Sequence, residues 1–138
     1  MYYNFNSYIC DMKRGQTPFT PAVGIVLELQ DMLRSIDSIR IENKVLHTKR
    51  LASDFRRRVC DIGYKIPQYP LSNAVTPLLF SHGAKKIYRL LKEDYSIIVN
   101  PCGGEVADKE LRIGHIGNLT IEDNDSLLSA LRQIIVTL

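Results

Sequence analysis

The chain has 138 residues, of which 45% are hydrophobic, so it is long enough to bury the core of one small globular domain. Its 18 basic residues are nearly balanced by 15 acidic ones, and a net charge of +3 gives no reason to expect a nucleic-acid or membrane partner. Three widely spaced cysteines without a C-x-x-C pattern favour a reducing, cytoplasmic compartment and argue against a metal site or a disulfide framework.

The N-terminal segment Tyr2–Tyr8 contains three tyrosines and a phenylalanine, which need a surface to cover. No positively charged stretch followed by an apolar run is present, so we expect no signal peptide. Taken alone, the segment could pack as an edge strand on its own domain.

Two long amphipathic helices are predicted in the first half of the chain. Apolar residues recur at helical spacing over Pro21–Ser35, with Thr20 as a suitable N-cap and Pro21 in the first turn. A second helical pattern covers about Ser38–Ile62 and ends at Gly63, a typical C-cap residue.

Beyond this point the pattern alternates between strands and helices. The predicted elements are short extended segments at 65–67 and 95–99, a strand over 73–80, a helix over 83–92 and a turn or mobile loop over 100–104. Pro77 has no amide hydrogen, so the strand that contains it is expected at a sheet edge or a bulge.

A strand around Arg112 and a helix that starts at Thr120 complete the chain. Thr120 and Asp123 have the spacing of a capping box. The predicted buried face of this helix consists of Leu127, Leu128, Leu131, Ile134 and Ile135. The order of elements predicts an α+β fold, with a small, mostly antiparallel sheet that has helices packed on one face and a long helical segment before it.

Arg112 stands between Leu111 and Ile113 in an alternating run, which predicts that the two apolar side chains share one face and the arginine lies on the other. A guanidinium held on a strand is a fixed fork for a carboxylate or a phosphate. From the spacing alone, an arginine that faces solvent or pairs with a neighbouring acid is the simpler interpretation.

Two segments together resemble those of a known enzyme family. The sequence R-G-Q-T-P-F-T-P at 14–21 precedes a long helical pattern, and L-R-I-G-H-I-G-N at 111–118 precedes the last helix. In this order they resemble the T-P-x-T-P-like and L-R-I-G-x-x-G-N-like segments of class V (fold type I) pyridoxal-phosphate aminotransferases. The similarity is to the alanine–glyoxylate, serine–pyruvate and 2-aminoethylphosphonate–pyruvate branch, and it extends from about Tyr2 to Ile135.

The resemblance implies that residues 1–20 form a connecting segment from a missing large domain and that residues 21–138 form the small C-terminal domain. In that family the Schiff-base lysine lies upstream of the threonine segment, and Lys13 is too close to match it. The chain is therefore expected to lack the Schiff-base lysine, to be inactive alone, and to act with pyridoxal 5'-phosphate bound mainly by the large domain.

The activity implied for the whole enzyme is transfer of an amino group between an amino acid and a small 2-keto acid such as pyruvate or glyoxylate, in a cytoplasmic dimer. Arg112 matches the arginine that binds the substrate carboxylate. Thr17 and Thr20 match positions near the cofactor phosphate, reached from the partner subunit. Each threonine also has a purely structural interpretation, a turn for Thr17 and a helix cap for Thr20.

The remaining polar residues are given structural roles. His115 and Asn118 could shape the substrate pocket, with His115 as a structural or specificity residue rather than a general base. His47 and His82 are expected to lie on the surface, and Cys102 is expected to be chemically inert. The three arginines at 56–58 are predicted to form a solvated helix face.

Two alternatives remain open. The same arginine could serve a stand-alone carboxylate- or amino-acid-binding regulatory module without catalysis. Desulfurase chemistry within the same fold class would need a cysteine on a long loop before the arginine strand, and Cys102 lies too close to Arg112 for that loop.

Overall fold

The computed structural model describes residues 3–137 of the chain. Across that range the helices are α1 (Phe5–Met12), α2 (Val23–Ile39), α3 (Ile41–Ile62), α4 (Ala84–Asp94) and α5 (Ile121–Thr137). The strands are β1 (Val75–Leu79), β2 (Asn100–Pro101) and β3 (Glu110–Gly114), and a 3₁₀ turn spans Gly104–Val106. The predicted α+β class is therefore confirmed. The chain divides into two compact units, the first ending at Ile41 and the second beginning at Glu42.

The first unit consists of α1, α2 and the turn between them. The interpretation of the N-terminal segment as an edge strand is wrong from Phe5 onward, because the amides of Ser7 and Tyr8 both bond the Asn4 carbonyl and start a helix. Tyr2, which the prediction included, lies outside the described residues. Helix α1 ends before Gly15, whose φ of 67° suits a glycine.

Helix α2 begins at Val23, two residues after the predicted start. The Val23 amide bonds the Pro21 carbonyl at 2.8 Å in a tight turn, so Pro21 stays outside the helix. The N-cap residue of α2 is Ala22, which makes no side-chain hydrogen bond to the helix, so the prediction of Thr20 as the N-cap is wrong. At Arg40 a φ of 72° breaks the helical path and separates α2 from α3.

The second unit contains an antiparallel sheet in the order β1-β3-β2. Strand β1 is at an edge, as Pro77 predicted, and pairs Val75 with Gly114 and Leu79 with Glu110. Lys65 forms an isolated bridge to Leu79, which agrees with the extended segment predicted at 65–67.

One face of the sheet carries the core. Strand residues Leu78, Leu111 and Ile113 point into it, and helices α3, α4 and α5 cover them. The helical residues buried there are Phe55, Val59, Ala84, Ile87, Leu91, Leu127, Leu128, Ala130, Leu131 and Ile134. Helices packed on one face of the sheet are thus confirmed, although Ile135, predicted to be buried, is 39% exposed.

The segment 95–99 is not the predicted strand, and the strand pairing starts at Asn100, inside the predicted loop. The Ile97 amide bonds the Leu91 carbonyl at 2.8 Å, and Ser96 has a φ of 56°, so this segment wraps the end of α4 instead of extending. Strand β2 is only two residues long and carries almost no local pattern that could predict it.

Two helix ends in the second unit have the features that the sequence predicted. Thr120 and Asp123 form the predicted capping box, with the Thr120 amide donating to Asp123 Oδ2 at 2.8 Å and the Asp123 amide donating to Thr120 Oγ1 at 3.4 Å. Gly63, with a φ of 106°, ends α3 as predicted. In the part of the chain that the structure describes, no helix is both long enough and apolar enough to cross a bilayer.

Candidate functional site

Arg112 lies at the centre of the exposed face of the sheet. Residues 111 and 113 are drawn into the core, so the alternation of β3 turns the arginine to the opposite side. Across the ladder its neighbours are Pro77 on β1 and Asn100 on β2. The side of the strand on which Arg112 lies was predicted from the sequence, whereas its position on the middle strand was not.

Two contacts orient the guanidinium itself. Arg112 Nη2 donates to Asn100 Oδ1 at 3.2 Å and to the Pro101 carbonyl at 3.4 Å, both on β2. Both bonds leave from one nitrogen, and a guanidinium has five N–H donors. The fork can therefore accept a carboxylate on its other donors while β2 restrains it. The sequence contains no signal for this role of Asn100, since its partner is distant along the chain.

Cys102 and Glu110 lie beside this arginine. The Cys102 thiol donates to Glu110 Oε1 at 3.4 Å. Burial raises the pKa of the Cys102 thiol, the Glu110 hydrogen bond raises it further, and Arg112 opposes these effects. A protonated thiol is a poor nucleophile, which agrees with the expectation that Cys102 is inert.

The residue that follows β3 is buried. His115 is 2% exposed, its ring Nε2 lies 2.8 Å from Thr76 Oγ1, and Arg56 Nε donates to the same hydroxyl at 2.8 Å. Burial lowers the pKa of His115 to about 4, and the positive charge of Arg56 adds to this effect. A neutral ring whose Nε2 accepts the Thr76 hydroxyl hydrogen satisfies all three groups. His115 therefore anchors the loop behind Arg112 and does not face the solvent.

The predicted solvated face at 56–58 is wrong for two of its three arginines. Arg56 also donates to the Ser72 and Val75 carbonyls at 2.5 and 3.1 Å, so it holds the turn before β1. Arg58 binds Asp54 at 3.1 Å within α3 and Asp125 on α5 at 2.6 Å. The sequence pattern indicated that these residues lie outside the apolar face of α3, but not that the turn before β1 and α5 pack against them.

The other histidines differ in their surroundings. His47 Nε2 lies 2.8 Å from the Leu119 carbonyl, so this half-buried side chain ties α3 to the loop before α5 and is not a plain surface residue. His82 is exposed, as predicted, and bonds Ser81. Asn118 is exposed in the loop between β3 and α5.

Thr17 and Thr20 belong to the first unit, whereas Arg112 belongs to the second. Thr17 Oγ1 donates to the Phe19 carbonyl at 2.7 Å, the turn contact that its structural interpretation predicted. Thr20 is exposed, and its hydroxyl makes no hydrogen bond to another of the residues 3–137. Of the two, Thr20 therefore fits a phosphate contact better, because its hydroxyl hydrogen is not used within the turn.

A cavity of about 700 Å³ opens beside β2, on the side of the start of α5. Asn100 and Pro101, which hold Arg112, are also part of its wall. The rest of the lining is mostly apolar, with Ile97, Ile98, Val99, Ile113, Ile116, Leu119 and Leu127. Within residues 3–137, no group of three or more histidine, cysteine or acidic side chains is placed to hold a metal ion.

Some known aminotransferases are similar to this chain in sequence. No protein-family profile matches the chain. Over 134 residues the chain is 31% identical to an uncharacterized aminotransferase of Helicobacter pylori. The aligned region covers 94% of this chain and 35% of that relative. Over 113 residues it is 32% identical to an L-aspartate–glyoxylate aminotransferase of Paracoccus denitrificans, covering 78% of this chain and 28% of the relative.

The fold leads to the same group of enzymes. An alanine–glyoxylate aminotransferase from Nostoc sp. superposes with a TM-score of 0.78 and 26% identity, covering 85% of this chain and 32% of that structure. The chain spans about a third of the length of the curated relatives that it matches. In sequence and in fold, the chain is thus similar to about one third of the length of each of these aminotransferases.

Proposed function

We propose that this chain is the C-terminal part of a class V, pyridoxal-phosphate-dependent aminotransferase. The proposed reaction moves an amino group between an amino acid and a small 2-keto acid such as pyruvate or glyoxylate, in the cytoplasm. One observation carries the proposal: Arg112 stands on the open face of the sheet, restrained by β2, in a chain whose relatives are aminotransferases. The same relatives disfavour a regulatory module without catalysis.

The role proposed for Arg112 is to bind the substrate carboxylate. A planar guanidinium makes two parallel charge-assisted hydrogen bonds to a carboxylate, which fixes both position and rotation of the substrate. Asn100 and Pro101 limit the motion of the guanidinium before substrate arrives, so less side-chain freedom is lost on binding. Orientation of this kind can supply a large share of a rate enhancement.

The chain's own contribution to the cofactor site is small in this proposal. Thr20, and less directly Thr17, would contact the cofactor phosphate across a dimer interface, because exposed hydroxyls suit an anion. Bound pyridoxal phosphate supplies the electron sink for the reaction. We place its Schiff-base lysine in the large domain and therefore expect the isolated chain to be inactive.

Reduction with borohydride tests this division of labour. The purified chain is titrated with pyridoxal phosphate, treated with sodium borohydride and weighed intact by mass spectrometry. We expect no stoichiometric adduct at a unique lysine. Exposed lysines react weakly and without selectivity, so a chain with Lys13 replaced by arginine should give the same low labelling. A single adduct at one lysine, with a cofactor absorbance band, would contradict the proposal and indicate a compact cofactor-binding protein.

A further inference from the structure

Arg112 shares the exposed face of the sheet with an acidic side chain. Glu110 stands two residues earlier on β3, so the alternation of the strand directs both side chains to the same face, with their Cα atoms about 7 Å apart. The burial of Leu111 between them agrees with this arrangement. A carboxylate therefore lies beside the group that is proposed to bind the substrate.

The thiol of Cys102 holds the Glu110 carboxylate. Cys102 Sγ donates to Glu110 Oε1 at 3.4 Å, and Cys102 directly follows Pro101, whose carbonyl accepts a hydrogen bond from Arg112. Because its pKa is raised, the thiol stays protonated, so it acts as a neutral donor and adds no second negative charge. The segment 100–102 thus contacts both the guanidinium and the carboxylate.

The carboxylate of Glu110 is not neutralised by the arginine beside it. Among residues 3–137, no ion pair joins Glu110 to a basic side chain, Arg112 included. A thiol is a weak donor, so its hydrogen bond offsets little of the negative charge. An acid paired with the guanidinium would have a structural role, whereas here the two charges stay separate on one face.

We propose that Glu110 determines substrate specificity by repelling a second carboxylate on a substrate held by Arg112, and that Cys102 positions Glu110 for this role. The proposal rests on the proposed function, because it concerns the substrate of the same site. A carboxylate in direct contact with the guanidinium gains more from that charge than it loses to the more distant Glu110. A second carboxylate has no share in the bidentate contact, and a charge within the Debye length of about 10 Å is not fully screened from Glu110.

Similarity to known enzymes does not choose between the two kinds of substrate. The Nostoc enzyme is named for alanine, which has one carboxylate, and the Paracoccus denitrificans enzyme is named for L-aspartate, which has two. The charge beside Arg112 favours the first kind for this chain. Its substrates are then amino acids and 2-keto acids with a single carboxylate, such as pyruvate.

A binding titration of the chain tests the repulsion without catalysis. Residues 1–138, labelled with ¹⁵N, are titrated with pyruvate and with 2-oxoglutarate at constant ionic strength, and each Kd is obtained from the shift of the Arg112 Nε–H signal. We expect Glu110→Gln to lower the ratio of the Kd for 2-oxoglutarate to the Kd for pyruvate by about threefold or more, because a like charge near the second carboxylate is removed.

The matched control is Glu93→Gln, which removes the same charge from the exposed side of α4, the helix that covers the other face of the sheet. This variant should leave the ratio unchanged. An unchanged ratio in Glu110→Gln, or an equal change in Glu93→Gln, would overturn the proposal. So would the absence of binding of either acid to both the wild-type chain and Glu110→Gln, because such a face selects nothing.

Variants of Cys102 test the positioning. Cys102→Ala removes the donor and should shift the Kd ratio in the same direction as Glu110→Gln, whereas Cys102→Ser keeps a donor and should preserve the wild-type ratio. In a chain that already carries Glu110→Gln, Cys102→Ala should have no further effect, because no charge is left to position. Independent, additive effects of the two substitutions would refute the positioning role of Cys102.

A fusion protein separates this proposal from the proposed function. Residues 1–138 replace the third of the Helicobacter pylori relative that this chain matches, and kcat/KM is measured with pyruvate and with 2-oxoglutarate as amino acceptors. Glu110→Gln should raise kcat/KM for 2-oxoglutarate relative to pyruvate by about tenfold, mainly through KM. Amino transfer with an unchanged preference would refute the specificity role alone. A fusion without amino transfer, together with a shifted Kd ratio in the chain, would refute the function and leave the selectivity of Glu110 intact.

Discussion

Arg112 keeps the orientation that its neighbours in the sequence require. Leu111 and Ile113 are both buried, so the strand between them must present the arginine on the other face. That much could be predicted from alternation. Its contacts to Asn100 and Pro101 could not, because they depend on a pairing between two strands that no local pattern specifies.

His115 was predicted to be structural or to govern specificity, and its burial against Thr76 and Arg56 makes it an anchor of the loop. The sequence offered no way to detect the partners, since Thr76 and Arg56 lie on β1 and α3. A buried neutral histidine makes the free energy of unfolding depend on pH. Between its folded and unfolded pKa values, the histidine is protonated in the unfolded chain but stays neutral in the folded chain.

The pH dependence of unfolding tests this environment. With a folded pKa of about 4 and an unfolded value of 6.5, the stability due to His115 falls as the pH drops below 6.5 and levels off below about 4. The free energy of unfolding should therefore be lower at pH 5 than at pH 7 by about 1–2 kcal/mol more than in His115→Gln. The glutamine oxygen can accept the Thr76 hydroxyl but cannot titrate. Identical pH profiles from urea unfolding of the two proteins would show that His115 is not buried as a neutral ring.

At the scale of the elements, the long helices were the most predictable features. Their apolar periodicity identified α2, α3, α4 and α5, and Gly63 and the pair of Thr120 with Asp123 located two of the helix ends. Strand β2 was missed and placed in a loop, because its two residues pair only through β3. The start of α2 was misplaced because Pro21 takes part in a tight turn.

The first turn of α4 is capped by Asp108, a residue that the sequence did not identify as a cap. Asp108 lies in the loop before β3, and its carboxylate accepts bonds from the amides of Gly83 at 3.0 Å and Lys85 at 3.1 Å. These two backbone bonds lower the pKa of Asp108. A cap supplied from a distant loop leaves no signature in the residues next to the helix.

Replacing Asp108 by asparagine tests this cap. The neutral amide loses the charge that favours the helix start, so we expect a lower Tm at pH 7. Because the folded carboxylate has a lowered pKa, its stabilising effect is present above the ordinary aspartate pKa of about 4 and is lost as the pH falls through the folded value. The Tm difference between the two proteins should therefore shrink in acid. A difference that persists at low pH would point to lost packing instead of the charged cap.

At the scale of the whole molecule, the second unit has a complete core, whereas the first has none in α1 or α2. The sequence showed the apolar faces of α2, α3, α4 and α5 but not which of these faces the chain itself can cover. Helix α5 illustrates the point, because Leu131 is fully buried while Ile135, one turn later, is 39% exposed.

Alanine substitutions at these two positions test the extent of the core. Leu131→Ala should lower the free energy of unfolding by about 3 kcal/mol, because it leaves a cavity among packed side chains. Ile135→Ala should cost less than about 1.5 kcal/mol, since much of the side chain remains in water. Chemical unfolding of both variants gives the two values. Equal losses would mean that the core continues to the end of α5.

The role of Arg112 is tested most directly by amino transfer in a fusion protein, in which residues 1–138 replace the third of the Helicobacter pylori relative that this chain matches. An amino donor labelled with ¹⁵N is supplied with pyruvate or glyoxylate, and the labelled product is measured. We expect transfer with the wild-type chain and a fall in kcat/KM of about 100-fold for Arg112→Lys, since a point charge cannot replace the two-pronged contact with a carboxylate. The exposed Arg89→Lys serves as control and should leave the rate unchanged. A folded fusion that transfers no label, or one in which Arg112→Lys is as active as wild type, would contradict the assignment of Arg112 and with it the proposed function.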